Sequence, residues 1–348
     1  MTPQDIEYLL IEPTTYCNAK CPHCPRYDSQ GFLRIQQLDH LRLDAFTNKL
    51  DPAQLSNLKI VTFEGDHGDP VMSPNLIDLV NFFSFAPVVR ITTNGSIRTA
   101  DWWKQMAKIP NLQVVFSIDG LEDTNHIYRV GLEFDRIIKN AQAFIDAGGQ
   151  AIWKCIIFKH NQHQIEEVTK LSEKMGFSHV FFARAIQDRF QGRDSWPVMI
   201  EGKYSHDLGP SDLIRDPHVY SKTHKSLAVP YQAPYKLFFN LDSDSEKLCT
   251  WSRKKKFYIN FQGNFLPCCM FSDHTHRQSP RTDLLLNMLE GDFDSISLYH
   301  HTLEEILQGD FYNHVLEDSL KSDNSMHPTC ADQCQKSIST LRLNQSVV

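Results

Sequence analysis

Short apolar runs alternate with helical patterns along the first half of the chain. The run Tyr8-Leu9-Leu10-Ile11 predicts a first β-strand, and Leu58 to Phe63, Pro87 to Ile91, Leu112 to Ile118, Ala151 to Phe158 and Val180 to Ala183 predict five more. Between them, Leu41, Leu43, Phe46 and Leu50 recur at helical spacing within residues 39 to 50, and Ser73-Pro74 offers an N-cap and a proline for a first helical turn. Thr99 is placed to cap a helix over Ala100 to Ile109. A helix over Glu133 to Ala147 stops at Gly148-Gly149, where glycine accepts the left-handed C-cap conformation, and Gln164 to Met175 reads as another. Strand, loop and helix repeated in this way make an α/β fold with parallel strands, whose ligands bind at the strands' C-terminal ends. That rule gathers the segment after Ile11 and the Gly68, Asn94, Ser117 and Arg184 regions at one mouth. An open doubly wound sheet and a partial barrel both use these units, so periodicity leaves the two open.

The rhythm then fails. Residues 186–245 are rich in Pro, Asp, Ser and Tyr and read as an irregular connection, long enough to be functional by facing substrate. Beyond it, Lys256 to Phe261 reads as a strand, Gln262-Gly263-Asn264 as a hairpin turn, and Phe265-Leu266-Pro267 as the return. The expected organisation is therefore 1–185, 186–245 and 246–348.

The first strand runs into Cys17-Asn-Ala-Lys-Cys21-Pro-His-Cys24. Three thiols on one small loop can hold three irons of a cubane cluster and leave the fourth iron open to another ligand. Half a zinc site is the plain alternative, but zinc knuckles favour CxxC pairs, which the CxxxC spacing fits poorly.

The CxxxCxxC loop, with Ile11-Glu12-Pro13-Thr14 ahead of it and Cys24-Pro25-Arg26 at its end, resembles the signature of the radical S-adenosylmethionine (SAM) superfamily, in the branch with C-terminal SPASM or twitch domains. The resemblance implies a partial (β/α)6 TIM-like barrel. It also implies a [4Fe-4S] cluster whose open iron is chelated by SAM, reductive cleavage to a 5′-deoxyadenosyl radical, and hydrogen abstraction from substrate. An electron donor such as flavodoxin or ferredoxin follows from the same likeness. His23 stands where relatives often carry an aromatic residue, and can still cover the cluster. Gly68-Asp69-Pro70 matches the family's Gly-Glu-Pro, with a carboxylate for the SAM ammonium, although Asp69 is one methylene short and could serve only as a turn residue before proline. Ser117 matches the polar residue placed against SAM, and Arg129 the basic residue near its carboxylate, with a surface ion pair as Arg129's other reading. Thr93 and Asn94 are further candidates within a Thr-Asn-Gly that is also an ordinary turn.

A second set of thiols lies far along the chain: Cys249, Cys268, Cys269, Cys330 and Cys334. Gly263xxxxCys268 and the final CxxxC resemble a SPASM or twitch module, and the resemblance implies one auxiliary [4Fe-4S] cluster held by Cys249, Cys268, Cys330 and Cys334; Cys268 fits the family spacing, while the sequence leaves the adjacent Cys269 open as its alternative. A structural Zn(Cys)4 site remains open, because spacing does not select the metal. An auxiliary cluster suits net oxidation or bond formation on a peptide or small molecule. A zinc-stabilised binding protein is the contrasting reading of the whole chain. Cys155, alone in an apolar strand, reads as a buried small hydrophobe, while His67, His160 and His163 could meet substrate.

Composition changes this picture only at its edges. Lys+Arg 35 against Asp+Glu 42 gives a formal charge of −7, which argues against a broad nucleic-acid-binding surface. No apolar stretch approaches the roughly 20 residues of a bilayer span. The first residues lack a signal-peptide pattern, and nine cysteines, most of them in two groups, suit metal ligation in a reducing cytoplasm.

Overall fold

A computed structural model of the chain describes residues 1–185, 194–212, 220–223, 255–276, 279–320 and 326–331. The fold is mixed α/β, with a parallel sheet of six strands. In chain order these are β1 (Tyr8–Ile11), β2 (Ile60–Phe63), β3 (Val88–Thr93), β4 (Leu112–Ser117), β5 (Gln150–Ile157) and β6 (His179–Arg184). The chain gathers into two compact units, one of Met1–Glu12, Leu41–Val61 and Gln232–Val348, the other of Pro13–His40 and Thr62–Tyr231.

In the second unit, β3, β4, β5 and β6 pair in parallel and in sequence, with Val89 opposite Leu112, Gln113 opposite Gln150 and Ile152 opposite His179. The strands are apolar on both faces because helices cover them: every residue of β4 is buried. The helices are α1 (Leu76–Phe82), α2 (Ala100–Met106), the short α3 (Asn125–Tyr128), α4 (Phe134–Asp146) and α5 (Ile165–Met175). Trp103 of α2 and Phe144 of α4 meet over Phe116 of β4, with Trp103 and Phe116 ring centroids 5.2 Å apart. Thr99 caps α2 as expected, its hydroxyl accepting from the Trp102 amide. Ser73, by contrast, closes a 3-10 turn over Pro70–Met72, and α1 starts three residues later than Ser73.

Two further expectations change. Residues 39–50 form no α-helix: a 3-10 turn at Leu43–Ala45 and a left-handed Asn48 (φ 63°) bend the segment, while Leu41, Phe46 and Leu50 are still buried. The apolar positions were right, but the Asn48 backbone leaves the helical region. The region read as irregular holds a hairpin, β7 (Trp196–Ile200) with β8 (Lys203–Leu208). Its Glu201-Gly202 turn has positive φ at both residues, as a two-residue hairpin requires, and β9 (Tyr220–Thr223) adds antiparallel to β6.

In the first unit, β1 pairs in parallel with β10 (Lys256–Ile259), and β10 turns through Gly263 (φ 77°) into antiparallel β11 (Phe265–Leu266), the hairpin expected there. Phe257 and Phe265 stack at 4.9 Å, and buried Tyr312 donates its hydroxyl to the Phe265 carbonyl at 2.8 Å. No helix among the described residues is long and apolar enough to cross a membrane.

Candidate active site

The segment Cys17–Cys24 follows β1 in the chain and lies in the second unit, folded as tight turns rather than regular structure. Three backbone contacts tie it down: the Lys20 amide donates to the Val130 carbonyl, the Cys24 amide to the Cys21 carbonyl, and the Asp69 amide to the Tyr16 carbonyl. Buried Arg26 donates through one nitrogen to the carbonyls of Thr15 and His67, stitching this loop to the one after β2. Gly68 is required for that seam, because a Cβ there would collide with the Thr14 carbonyl.

Each cysteine sulfur meets an N–H donor. Cys17 accepts from the Ala19 amide at 3.4 Å and from Asn94 Nδ2 at 3.9 Å and Cys21 from Arg129 Nη1 at 3.7 Å, while the Arg26 amide faces Cys24 and opposes the rise in its pKa. Burial pushes the thiols up, Cys17 to about 12 and Cys21 and Cys24 to about 11, and their mutual repulsion adds to it. A cation is thus needed to hold the trio as thiolates, and the N–H donors are those that suit sulfur anions. Three thiols at CxxxCxxC spacing are a donor set suited to three irons of a cluster.

The loop after β3 is built on Asp69. Its carboxylate, 5% exposed, accepts from Thr93 Oγ1 at 2.7 Å, the Asn94 amide at 2.7 Å and the Val71 amide at 3.1 Å. Burial raises the Asp69 carboxyl against the opposing pull of those donors. Asn94 then turns its side chain to Asn18 and Cys17, and its own carbonyl to Ser96. Thr93, Asn94 and Asp69 thus come together, as a brace under the cysteine loop.

Ser117 ends β4 buried, and its hydroxyl makes no hydrogen bond with another described residue. Arg129, at the C-terminus of α3, is mostly buried and pairs through Nε with Asp119 Oδ2 at 2.6 Å. Burial works against the guanidinium charge, but Asp119 and Cys21 beside it hold its pKa above the ordinary arginine value. This is a buried ion pair rather than the surface one weighed from sequence. Asp119 is not among the candidates drawn from the sequence; the signal available was a carboxylate two residues past the end of β4, ten residues ahead of an arginine.

His23 is exposed with φ 59°, its ring 5.1 Å from Trp196 of the hairpin. The two sides are joined by the Lys20–Glu201 ion pair at 2.6 Å and border an open cleft lined by Cys21, His23, Tyr27 and Met199 among others.

Residues 11–174 match the family model of the Radical SAM superfamily, and residues 249–335 that of an iron-sulfur cluster-binding domain, SPASM. The chain carries a radical SAM domain followed by a SPASM domain. As a radical SAM protein with a C-terminal SPASM region, it has a SAM-binding [4Fe-4S] cluster and auxiliary iron-sulfur ligation. It is 23% identical over 288 residues to the tungsten-containing aldehyde ferredoxin oxidoreductase cofactor-modifying protein of Pyrococcus furiosus, covering 78% of this chain and 73% of that one. A GTP 3′,8-cyclase of Clostridium perfringens is 24% identical over 49% of this chain and 53% of its own. Among solved structures, Streptococcus suis SuiB bound to S-adenosylmethionine superposes with a TM-score of 0.54 at 16% identity, over 91% of this chain and 66% of SuiB. SuiB bound to precursor peptide SuiA superposes at 0.55, with 15% identity, over 89% and 66%. This radical SAM chain thus spans about half of the cyclase and just under two thirds of SuiB.

The first unit carries the SPASM thiols. Cys268 and Cys269 are half-buried at the end of the β10–β11 hairpin, and Cys330 is buried, its amide bonded to the His327 carbonyl. Cys268 lies close enough to buried Tyr312 to help raise the phenol's pKa, after burial itself. Cys249 and Cys334 lie outside the described residues. None of the described cysteines is in a disulfide. Cys155 is buried in β5, as read from its apolar neighbours.

Proposed function

We propose that this chain cleaves S-adenosylmethionine reductively and uses the product to oxidise, or form a bond in, a peptide or small molecule. Residues 1–185 form the radical SAM core on this reading, and 246–348 the auxiliary-cluster module. When bound, the cluster and SAM supply a 5′-deoxyadenosyl radical that takes a hydrogen atom from substrate, with one auxiliary [4Fe-4S] cluster as acceptor for the next electron.

The observation that carries the reading is the Cys17, Cys21, Cys24 trio, with every sulfur facing an N–H group. The chain's own residues then have distinct tasks. Arg26, Gly68 and the Asp69 brace fix the loop that presents the thiols. Ser117 has a hydroxyl to offer SAM, and Arg129 keeps Nη2 without a hydrogen bond to any described residue, a donor suited to a carboxylate. Thr93, Asn94 and Asp69 hold the SAM side of the site by bracing the loops rather than by exposed polar atoms. His23 and Trp196 face the surface beside the loop, where they shield the cluster's edge. Cys249, Cys268, Cys330 and Cys334 hold the auxiliary cluster. That SuiB is solved with a precursor peptide, and that the Pyrococcus furiosus relative is named for modifying a cofactor, supports both substrate classes.

Anaerobic reconstitution tests the reading. About eight irons per chain and release of 5′-deoxyadenosine are expected, and Cys17→Ala, Cys21→Ala and Cys24→Ala should each abolish that release. Stoichiometric zinc without cleavage would overturn the proposal in favour of a zinc-stabilised binding protein.

A further inference from the structure

The family likeness gives Arg129 a place near the SAM carboxylate, but the strongest polar contacts of its side chain run elsewhere. Nε is committed to Asp119 Oδ2 at 2.6 Å, and Nη1 points at Cys21 Sγ, 3.7 Å away. The Asp119 end is rigid. Its Oδ1 accepts from the Ile156 amide of β5 at 2.5 Å, its amide donates to Asn125 Oδ1 at 2.8 Å, and its carbonyl accepts from Asn161 Nδ2 at 2.9 Å. Arg129 is held from its own side as well, by its amide on the Asn125 carbonyl and its guanidinium 5.5 Å from the Tyr128 ring centre.

Asp119 is 0% exposed and Cys21 8% exposed, so this chain of contacts sits where charge is poorly screened. A guanidinium does not lose its proton, so the positive charge at Cys21 is permanent. Asp119 offsets part of it, but Arg129 touches the sulfur directly and acts on Cys21 more strongly than the carboxylate does. Hydrogen bonds and charge at cluster sulfurs set the reduction potential of an iron-sulfur centre, because the reduced state carries one more negative charge.

We infer that Arg129, positioned by Asp119, is the residue that makes the catalytic cluster reducible: its hydrogen bond to Cys21 stabilises the reduced state and sets the potential at which the cluster accepts its electron. This rests on the cluster assignment above. It differs from SAM anchoring because the effect is present with no SAM bound. One electron enters the oxidised cluster from a low-potential one-electron donor, a reduced flavodoxin or ferredoxin or dithionite in the titration, the donor is oxidised by that electron, and the nearby fixed charge favours the reduced cluster.

The test is potentiometric titration of the reconstituted full chain without SAM, followed by the electron paramagnetic resonance signal of the reduced cluster. To isolate that centre, wild type and variants carry the Cys330→Ala background. Arg129→Gln should make reduction at least tenfold less favourable, a midpoint about 59 mV lower for each tenfold change in a one-electron equilibrium. Arg129→Lys keeps the charge but loses the fixed fork, and should fall between the two. An unchanged midpoint in Arg129→Gln, with iron content equal to the parent, overturns the inference; weakened SAM binding alone would then leave the arginine as a carboxylate anchor. If Arg129→Gln takes up no iron, Arg129→Lys decides: a lowered midpoint supports the inference and an identical one overturns it. Failure of the parent chain to take up iron on Cys17, Cys21 and Cys24 would instead remove the cluster assignment itself.

Discussion

Asp69 marks how far a residue's place in a motif is from its job. It stands where relatives carry glutamate for the SAM ammonium, yet three protein donors occupy its buried carboxylate. One more methylene would push the carboxylate out of register with those donors, so Asp69→Glu should cost about 1–3 kcal/mol in denaturant unfolding. A variant as stable as the parent would show that the brace is slack. Gly68 makes the same point from the backbone side. Gly68→Ala should destabilise the loop and reduce iron uptake, because relief of the clash requires moving Thr14, two residues from Tyr16 and the seam beneath Cys17. The sequence did expose the residue types needed here, a glycine and a short carboxylate, but not their partners. Two of the three donors on Asp69 are 24 and 25 positions away at Thr93 and Asn94, a separation no local pattern reports.

At the scale of elements, the strands were legible because each is an apolar run covered on both faces, and the structure moved their ends by only a few residues. The β7–β8 hairpin was missed because Glu201-Gly202 lacks the usual Asn-Gly or Asp-Gly turn, and the exposed residues of β8 give no apolar alternation. Its packing creates a pH-sensitive spot at the turn after β5. His160 has both ring nitrogens shielded without a hydrogen-bond partner, and burial, with His206, His126 and His163 nearby, lowers its pKa from 6.5 to about 4. Between those values the unfolded chain binds the proton and the folded chain does not. The neutral ring's contribution is therefore complete above pH 6.5 and is lost as pH falls towards 4, on the order of 1–2 kcal/mol after allowing for partial exposure. His160→Gln should flatten the stability profile across that window in unfolding curves taken at several pH values. A profile as steep as the parent's would place the protonation elsewhere.

For the whole molecule, the two sets of thiols fall in different compact units, Cys17, Cys21 and Cys24 in one and Cys268 and Cys330 in the other. Cys330→Ala should therefore leave about four irons, retain part of the 5′-deoxyadenosine release, and suppress product. Equal loss of cleavage and product would make the distal thiols structural supports of the entire fold. The strand-helix repeat, the early cysteine spacing and the later CxxxC were all determined by the sequence alone, because strand burial and the reach of a short loop depend on neighbouring residues. What only the tertiary structure decided is which charges and donors those thiols meet. Arg129 reaches Cys21 across 108 positions and is aimed there by Asp119, itself fastened to β5. Such contacts arise when several strands end side by side, so their chemistry belongs to the fold and to no one stretch of chain.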